Sequence, residues 1–238
     1  MNYAILSAGT GSRLKSEMIE VPKPLVKVDG IPMIERLLSV FLENNAEKIY
    51  VITNLQPETM DFLRKKQSKM KNKLEIIFKE TPSSAHSFYE LFPYLYDKSF
   101  CLTTVDTIFN PDEFTSYIKE FTSDKMIDGL LAVTSFIDDE SPLYIETDEN
   151  MNITGFHDQN NGKCKYISGG IYAFNPSVSP TIKRASEKGI TRMRNLQREL
   201  LANNLKLKAY PFSKILDIDH AADIEKGKEF LEKLKTEN

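Results

Sequence analysis

Two glycines, two cations and three carboxylates in this chain have the types and spacing to handle a phosphate-rich ligand. Gly9 and Gly11 lie in Leu6-Ser7-Ala8-Gly9-Thr10-Gly11-Ser12-Arg13-Leu14, directly after a short apolar run. Glycine lets a backbone turn tightly and bring its N–H groups close to phosphate oxygens. The spacing is not G-x-G-x-x-G, because Ser12-Arg13-Leu14 follows, and no Walker-type Gly-Lys-Ser/Thr is present, so the loop alone reads equally as an ordinary turn. The next basic segment, Val21-Pro22-Lys23-Pro24-Leu25, sets a lysine between two prolines. Those rings stiffen the backbone and hold the ammonium in one direction. Arg13 and Lys23 are thus two cations beside a glycine turn, suited to the charge that develops when the α-phosphorus of an NTP is attacked.

The carboxylates suggest a metal. Asp106 follows the strand-like run Ser99–Val105, and ligands of open α/β sheets bind outside the carboxyl ends of strands. Mg²⁺ favours one or two carboxylates together with phosphate and water oxygens. A turn residue before Asn110-Pro111 is the plainer role for Asp106. In Ile215-Leu216-Asp217-Ile218-Asp219, alternation puts Asp217 and Asp219 on one face of a short strand. Asp219 also stands where the last helix needs an N-cap, and one carboxylate can serve both ends.

The elements that position these groups follow from periodicity. Strands are expected at 3–7, 48–53, 74–79 and 99–105. Helices are expected at 31–44, 57–71, 84–96 and 111–123. The first of these carries Ile34, Leu37, Leu38, Phe41 and Leu42, the stripe of an amphipathic helix. This βαβαβαβα order predicts a mostly parallel sheet with helices on both faces. After residue 128 the pattern changes to strands at 129–136, 142–147, 153–157 and 165–174, with a hairpin turn at 148–152. Helices at 176–187 and 191–203, strands at 206–211 and 214–218, and a helix at 220–235 complete the chain. No Gly/Ser/Pro-rich linker or repeat interrupts it. The expectation is therefore one domain over 1–238, with a nucleotide-binding half at about 1–127 and an acceptor-binding half at about 128–238.

Composition narrows the partners. A net charge of −3 gives no electrostatic footprint for nucleic acid or an anionic membrane. No apolar run approaches the roughly 18–20 residues of a membrane span. Met1–Leu6 lacks the basic and apolar regions of a signal peptide and reads as a strand. Cys101 and Cys164 lie far apart without metal-ligand spacing, which predicts buried thiols in a reducing compartment and hence a cytoplasmic protein.

The combination of L-x-A-G-x-G-x-R, then Pro-Lys-Pro-Leu at 22–25, then Gly30-Ile31-Pro32 resembles the sugar-1-phosphate nucleotidyltransferases, or nucleotide-sugar pyrophosphorylases. The resemblance implies a Rossmann-like three-layer α/β/α fold with a mostly parallel central mixed sheet. It implies a Mg²⁺-dependent transfer of NMP from an NTP to a sugar 1-phosphate, with release of pyrophosphate. Leu6, Ala8, Gly9, Thr10, Gly11 and Ser12 would wrap the triphosphate, Arg13 would face the departing pyrophosphate, and Lys23 would reach the α-phosphate. Lys15 would assist or remain solvated. Asp106 would carry the metal, completed by Asp217, Asp219 or both. Thr81-Pro82-Ser83-Ser84 occupies the place of the family's Gly-Thr-Ala, so Ser83 and Ser84 would seat a base that stays undecided. His86 there is read as a helix-start residue rather than a base.

On the acceptor side, Ile153–Gln159 resembles the stretch that normally continues into Glu-Lys-Pro, and that lysine is absent. Lys163 or Lys165 would replace it. Gly169 and Gly170, in a strand, would approach the sugar or form a bulge. Cytidylyl transfer to phosphocholine or a phosphonate is the nearest alternative. A glycosyltransferase would carry a D-x-D where Thr104-Val105-Asp106 stands. A non-catalytic nucleotide-binding module would not need to keep the glycines, cations and acids together.

Overall fold

The computed structural model describes residues 1–138 and 140–237. The first half runs β1 (Asn2–Ser7), a short α1 (Ser12–Ser16), a 3₁₀ turn at Lys23–Leu25, β2 (Lys27–Val28), β3 (Ile31–Pro32), α2 (Met33–Glu43), β4 (Lys48–Thr53), α3 (Pro57–Lys69), β5 (Leu74–Phe78), α4 (Ser84–Leu91), β6 (Phe100–Thr104), β7 (Thr107–Phe109) and α5 (Pro111–Ser123). The second half runs β8 (Gly129–Thr134), β9 (Tyr144–Thr147), β10 (Ile153–His157), β11 (Tyr166–Phe174), α6 (Ser179–Glu187), α7 (Met193–Ala202), β12 (Leu207–Phe212), β13 (Ile215–Asp217) and α8 (Ala221–Glu237).

The main sheet follows the order β10-β9-β11-β6-β1-β4-β5, with β8 paired to both β11 and β12. Strands β5, β4, β1 and β6 are parallel, so their carboxyl ends line one edge. The second half joins through β11, which runs antiparallel to β6, β8 and β9. The expected central sheet, parallel first and mixed later, is therefore present.

Alternate residues of β1 feed two cores. Tyr3 and Ile5 pack on one face with Ile34, Leu37 and Phe41 of α2 and Phe114 and Tyr117 of α5. Ala4 and Leu6 pack on the other with Phe88 and Leu91 of α4, Ile182 of α6, and Leu196 and Leu200 of α7. Each fully buried large apolar side chain contributes about 1.5–3 kcal/mol relative to exposure. A third cluster joins Leu14, Val26, Val28, Ile108, Leu216, Ile218 and Leu231, and so ties the N-terminal loops to α8. Among the described residues no helix is long and apolar enough to cross a membrane.

Element boundaries moved for local reasons. Helix α2 starts at Met33 rather than 31 because Ile31 and Pro32 pair with Lys27 and Val28. The turn between them places Asp29 and Gly30 at φ 51° and 77°, as a tight hairpin requires. Helix α3 stops at Lys69, before the positive φ of Lys71 and Asn72. Residues 176–178 form a 3₁₀ turn ahead of α6. The hairpin between β9 and β10 turns at 148–152, as expected.

Candidate active site

Strand β1 delivers the glycine loop to the carboxyl edge of the sheet. Gly11 adopts φ 63°, ψ 33°, a left-handed conformation that favours glycine. A Cβ on Gly11 would also stand 3.1 Å from the Cβ of Lys23, so the loop and the Pro-Lys-Pro segment touch here. Asn54 fixes the other side by donating from Nδ2 to the Gly9 carbonyl at 2.9 Å. Leu6, Ala8, Gly9, Thr10, Gly11 and Ser12 line a cleft of about 440 Å³ that also contains Arg13, Lys23, Asp106 and Asp219. Lys15 lies outside that lining.

The last segment of the chain closes the site. β13 pairs antiparallel with β7, setting Asp217 opposite Thr107, and the Ile218 N–H donates to the Asp106 carbonyl at 3.1 Å. That register brings Asp219 beside Asp106. Lys23 Nζ lies 2.5 Å from Asp106 Oδ2 and 2.6 Å from Asp219 Oδ1. Arg13 Nη1 lies 2.7 Å from Asp219 Oδ2. Burial by itself would pull Lys23 below its ordinary pKa, but the charges and hydrogen bonds of Asp106 and Asp219 outweigh it and raise it. Lys23 is a firm cation at neutral pH.

Asp106 Oδ1 is buried and has no hydrogen-bond partner. An orphaned carboxylate oxygen on a residue that lines the glycine-loop cleft suits a hard cation. Among the described residues no group of three or more His, Cys, Asp or Glu is gathered as a metal cage. Asp106 and Asp219, supplemented by phosphate and water oxygens, match the way Mg²⁺ is usually held, so the residues fit the ion. Asp217 ends β13, is exposed, and lines the two neighbouring clefts rather than this one.

Asp219 does not cap the last helix, which corrects the expectation from sequence. α8 starts at Ala221. Asp223 Oδ2 accepts from the N–H groups of Asp219 at 3.2 Å and His220 at 2.8 Å, reaching back from the first turn. Glu17, just beyond α1, accepts the Ala221 N–H at 2.7 Å through Oε2 and meets His220 Nδ1 at 2.6 Å through Oε1. The Ala221 N–H and the His220 ring together hold the Glu17 carboxyl below its ordinary pKa, and Glu17 raises that of His220.

In the segment expected to meet the base, Ser83 N-caps α4 by accepting the His86 N–H at 3.3 Å. Its hydroxyl also lies 2.8 Å from His86 Nδ1 and donates to the Thr191 carbonyl at 2.5 Å. Ser83 is thus a cap and a bridge between halves. Ser84 is exposed and lines both the first cleft and an adjoining one of about 440 Å³.

That adjoining cleft continues towards the second half. Gly170, at φ 72°, sits at a break in the β11–β8 register and lines it. A Cβ on Gly169 would fall 2.2 Å from Ile215 Cδ1, so this glycine admits β13 against β11 and borders a further cleft of about 290 Å³. Lys165 holds its ammonium 5.3 Å from the Tyr166 ring centroid, and Lys163 lies 3.9 Å from Glu146. Neither lysine lines any of the three clefts. The cations that do, besides Arg13 and Lys23, are Arg192, Arg194 and Lys226. The signal for the two arginines is the basic run Thr191-Arg192-Met193-Arg194 at the start of α7, which helical periodicity alone presents as a helix end, whereas Lys226 lies apart in α8.

Three comparisons bear on this arrangement. Residues 3–233 match the family model described as Nucleotidyl transferase. The bifunctional protein GlmU of Methanococcus aeolicus is 25% identical over 219 residues, covering 88% of this chain and 50% of that protein. This chain thus spans about half the length of that relative. A choline-phosphate cytidylyltransferase of Haemophilus influenzae is 36% identical over 66 residues, 28% of each chain. Among solved structures, the inositol-1-phosphate CTP transferase from T. maritima superposes with a TM-score of 0.81 at 21% identity, covering 98% of this chain and 96% of that one. A glucose-1-phosphate thymidylyltransferase from Bacillus anthracis gives 0.82 at 20% identity, covering 97% and 94%. At that identity the likeness speaks for the fold.

Proposed function

This chain belongs to the nucleotidyl transferase family, and on that footing we propose that it transfers NMP from an NTP to a sugar 1-phosphate, releasing pyrophosphate. The observation that carries the reading is Lys23, held between Asp106 and Asp219 at the mouth of the glycine loop. Residues 1–127 serve the nucleotide and residues 128–238 the acceptor.

The acceptor phosphate is ionised at pH 7, so one of its oxygens attacks the α-phosphorus in line without a general base. A new P–O bond forms as the bond to the bridging α–β oxygen breaks, and that electron pair leaves with pyrophosphate. The loop from Leu6 to Ser12 cradles the triphosphate with backbone N–H groups. Arg13 faces the departing pyrophosphate. Lys23, kept cationic by its acidic neighbours, neutralises charge at the α-phosphate. Asp106 and Asp219 would hold Mg²⁺, which supplies charge neutralisation and alignment of the phosphates. Ser84 would meet the base and Gly170 the acceptor, with Gly169 bordering the cleft alongside. The two free thiols, Cys101 and Cys164, support a reducing, cytoplasmic setting.

Pyrophosphate release with Mg²⁺ tests the reading, with ATP, CTP, GTP, UTP and dTTP each offered against sugar 1-phosphates and phosphocholine. Turnover of one NTP with a sugar 1-phosphate supports it. Nucleotide binding without turnover on any acceptor overturns it in favour of a binding module. Cytidylyl transfer to phosphocholine or a phosphonate is the second reading, supported by the local likeness to the choline-phosphate enzymes. It would appear as turnover with CTP and those acceptors alone.

A further inference from the structure

The main sheet ends at an edge with unpaired backbone. β5 is the last strand there and, among the described residues, pairs only with β4. The Ile49 N–H donates to the Lys73 carbonyl at 2.7 Å, and the Lys79 N–H donates to the Thr53 carbonyl at 2.9 Å, so the odd-numbered residues face β4. Alternation turns the N–H and C=O groups of Leu74, Ile76 and Phe78 to the open side. Gln67 Nε2 takes the Leu74 carbonyl at 3.0 Å. Ile76 and Phe78 are left with a donor and an acceptor each. Open edges are usually blunted by a proline, a bulge or a charge on the strand. Leu74–Phe78 has no proline and a continuous register, and its charged residue, Glu75, is paired with Lys48 at 3.3 Å.

Beside that edge lies a run of one sign. Arg64, Lys65, Lys66, Lys69, Lys71 and Lys73 occupy 64–73 with no Asp or Glu between them, in a chain whose net charge is −3. Lys66 pairs with Glu35, and Lys73 donates to the Ala46 carbonyl at 3.2 Å. Arg64, Lys65, Lys69 and Lys71 are exposed, and among the described residues none of them has a carboxylate partner. Lys65 and Lys69 stand four apart on α3, a like-charge spacing that weakens a helix. The Arg64 guanidinium lies 5.3 Å from the centroid of the Phe78 ring, which ties the run to the open edge.

We propose that the open edge of β5, with the run at 64–73 beside it, docks an extended acidic segment of a partner protein as an added strand. Main-chain hydrogen bonds to Ile76 and Phe78 hold the segment, and its carboxylates meet Arg64, Lys65, Lys69 and Lys71. A second copy of this chain fits poorly, because edge-to-edge pairing about a two-fold axis would bring two basic runs together. An anionic lipid surface would use the cations but not the donors and acceptors of the edge. Arg64, Ile76 and Phe78 line none of the three clefts of the candidate active site, so docking leaves that site open.

The test is fluorescence anisotropy with the whole chain and three labelled octapeptides, alternating Glu-Val, Lys-Val and Glu-Pro. The Glu-Val peptide should bind, and more weakly as salt is raised. The Lys-Val peptide should not bind. The Glu-Pro peptide keeps the charge but cannot form a strand, and should bind roughly 10-fold or more weakly. Combining Arg64→Glu, Lys65→Glu and Lys69→Glu should weaken Glu-Val binding roughly 10-fold or more. Ile76→Pro removes a donor where an edge strand tolerates proline, and should weaken binding by a similar factor. If that variant fails to fold, the Glu-Pro peptide still reads the same hydrogen bonds. No binding of the Glu-Val peptide, or equal binding of Glu-Pro, overturns the proposal. Binding to phosphatidylserine vesicles in place of the peptide overturns it in favour of a lipid surface. Self-association in place of peptide binding, abolished by Ile76→Pro, overturns it in favour of a second copy.

Discussion

Lys23 and Asp219 lie 196 positions apart in the chain, and their Nζ and Oδ1 atoms meet at 2.6 Å. The contact joins the Pro-Lys-Pro segment to the short link between β13 and α8, so the site forms only when both segments are in place. Lys23 also meets Asp106, which makes it the centre of the charge arrangement.

Replacing Lys23 by alanine removes the cation at the α-phosphate and leaves two carboxylates facing each other. Turnover should fall at least ~100-fold, the usual loss for one stabilising group. Pyrophosphate release at saturating substrates checks this, and near-wild-type turnover would remove Lys23 from the mechanism.

Asp106→Asn deletes the charge of the carboxylate whose Oδ1 is buried and unpartnered. Turnover should again drop at least ~100-fold, and half-maximal activation should need more Mg²⁺. Asp217→Asn should leave the Mg²⁺ requirement near wild type, because Asp217 lines the neighbouring clefts instead. A metal titration of the two variants side by side decides between the carboxylates.

Glu17 and His220 form a pH-dependent clasp between α1 and α8. The raised pKa of His220 contributes stability at low pH that is lost as pH climbs through its folded value. The lowered pKa of Glu17 contributes stability at higher pH that is lost as pH falls through its folded value. The clasp is strongest between those two limits. Thermal unfolding of wild type and Glu17→Gln should differ most in that window, converge at the acid end, and narrow at the alkaline end to the part that the Ala221 N–H supplies. A difference independent of pH would refute the clasp.

Gly169→Ala should destabilise the fold by about 1–3 kcal/mol, through overpacking against Ile215. Ile215→Val removes the Cδ1 that lies 2.2 Å from the added methyl and should restore part of the loss. Denaturant unfolding of the single and double variants measures the coupling.

The parts legible in the sequence were those whose information is local. The glycine loop and Pro-Lys-Pro segment announced themselves within about thirty residues, and α2 showed its buried stripe. The β2–β3 hairpin was missed although Asp29-Gly30 is a hairpin signal, because its two-residue strands are too short to show alternation. Asp106 and Asp219 were picked out, but their convergence on Lys23 depends on the β7–β13 register, which no local pattern encodes. Lys165 rests on analogy with a lysine missing from the segment after β10, and the fold sets it outside all three clefts.

The β7–β13 ribbon also orders events during synthesis. A nascent chain that has emerged through Ala202 already contains the glycine loop, Lys23 and Asp106, and its β5-β4-β1-β6 strands can pair. It lacks β13, Asp219 and the helix that Glu17 clasps. Until translation delivers them, Lys23 has one carboxylate partner instead of two, and Glu17 has no helix to hold. Ribosome-bound intermediates should therefore possess a folded sheet before they possess a finished site.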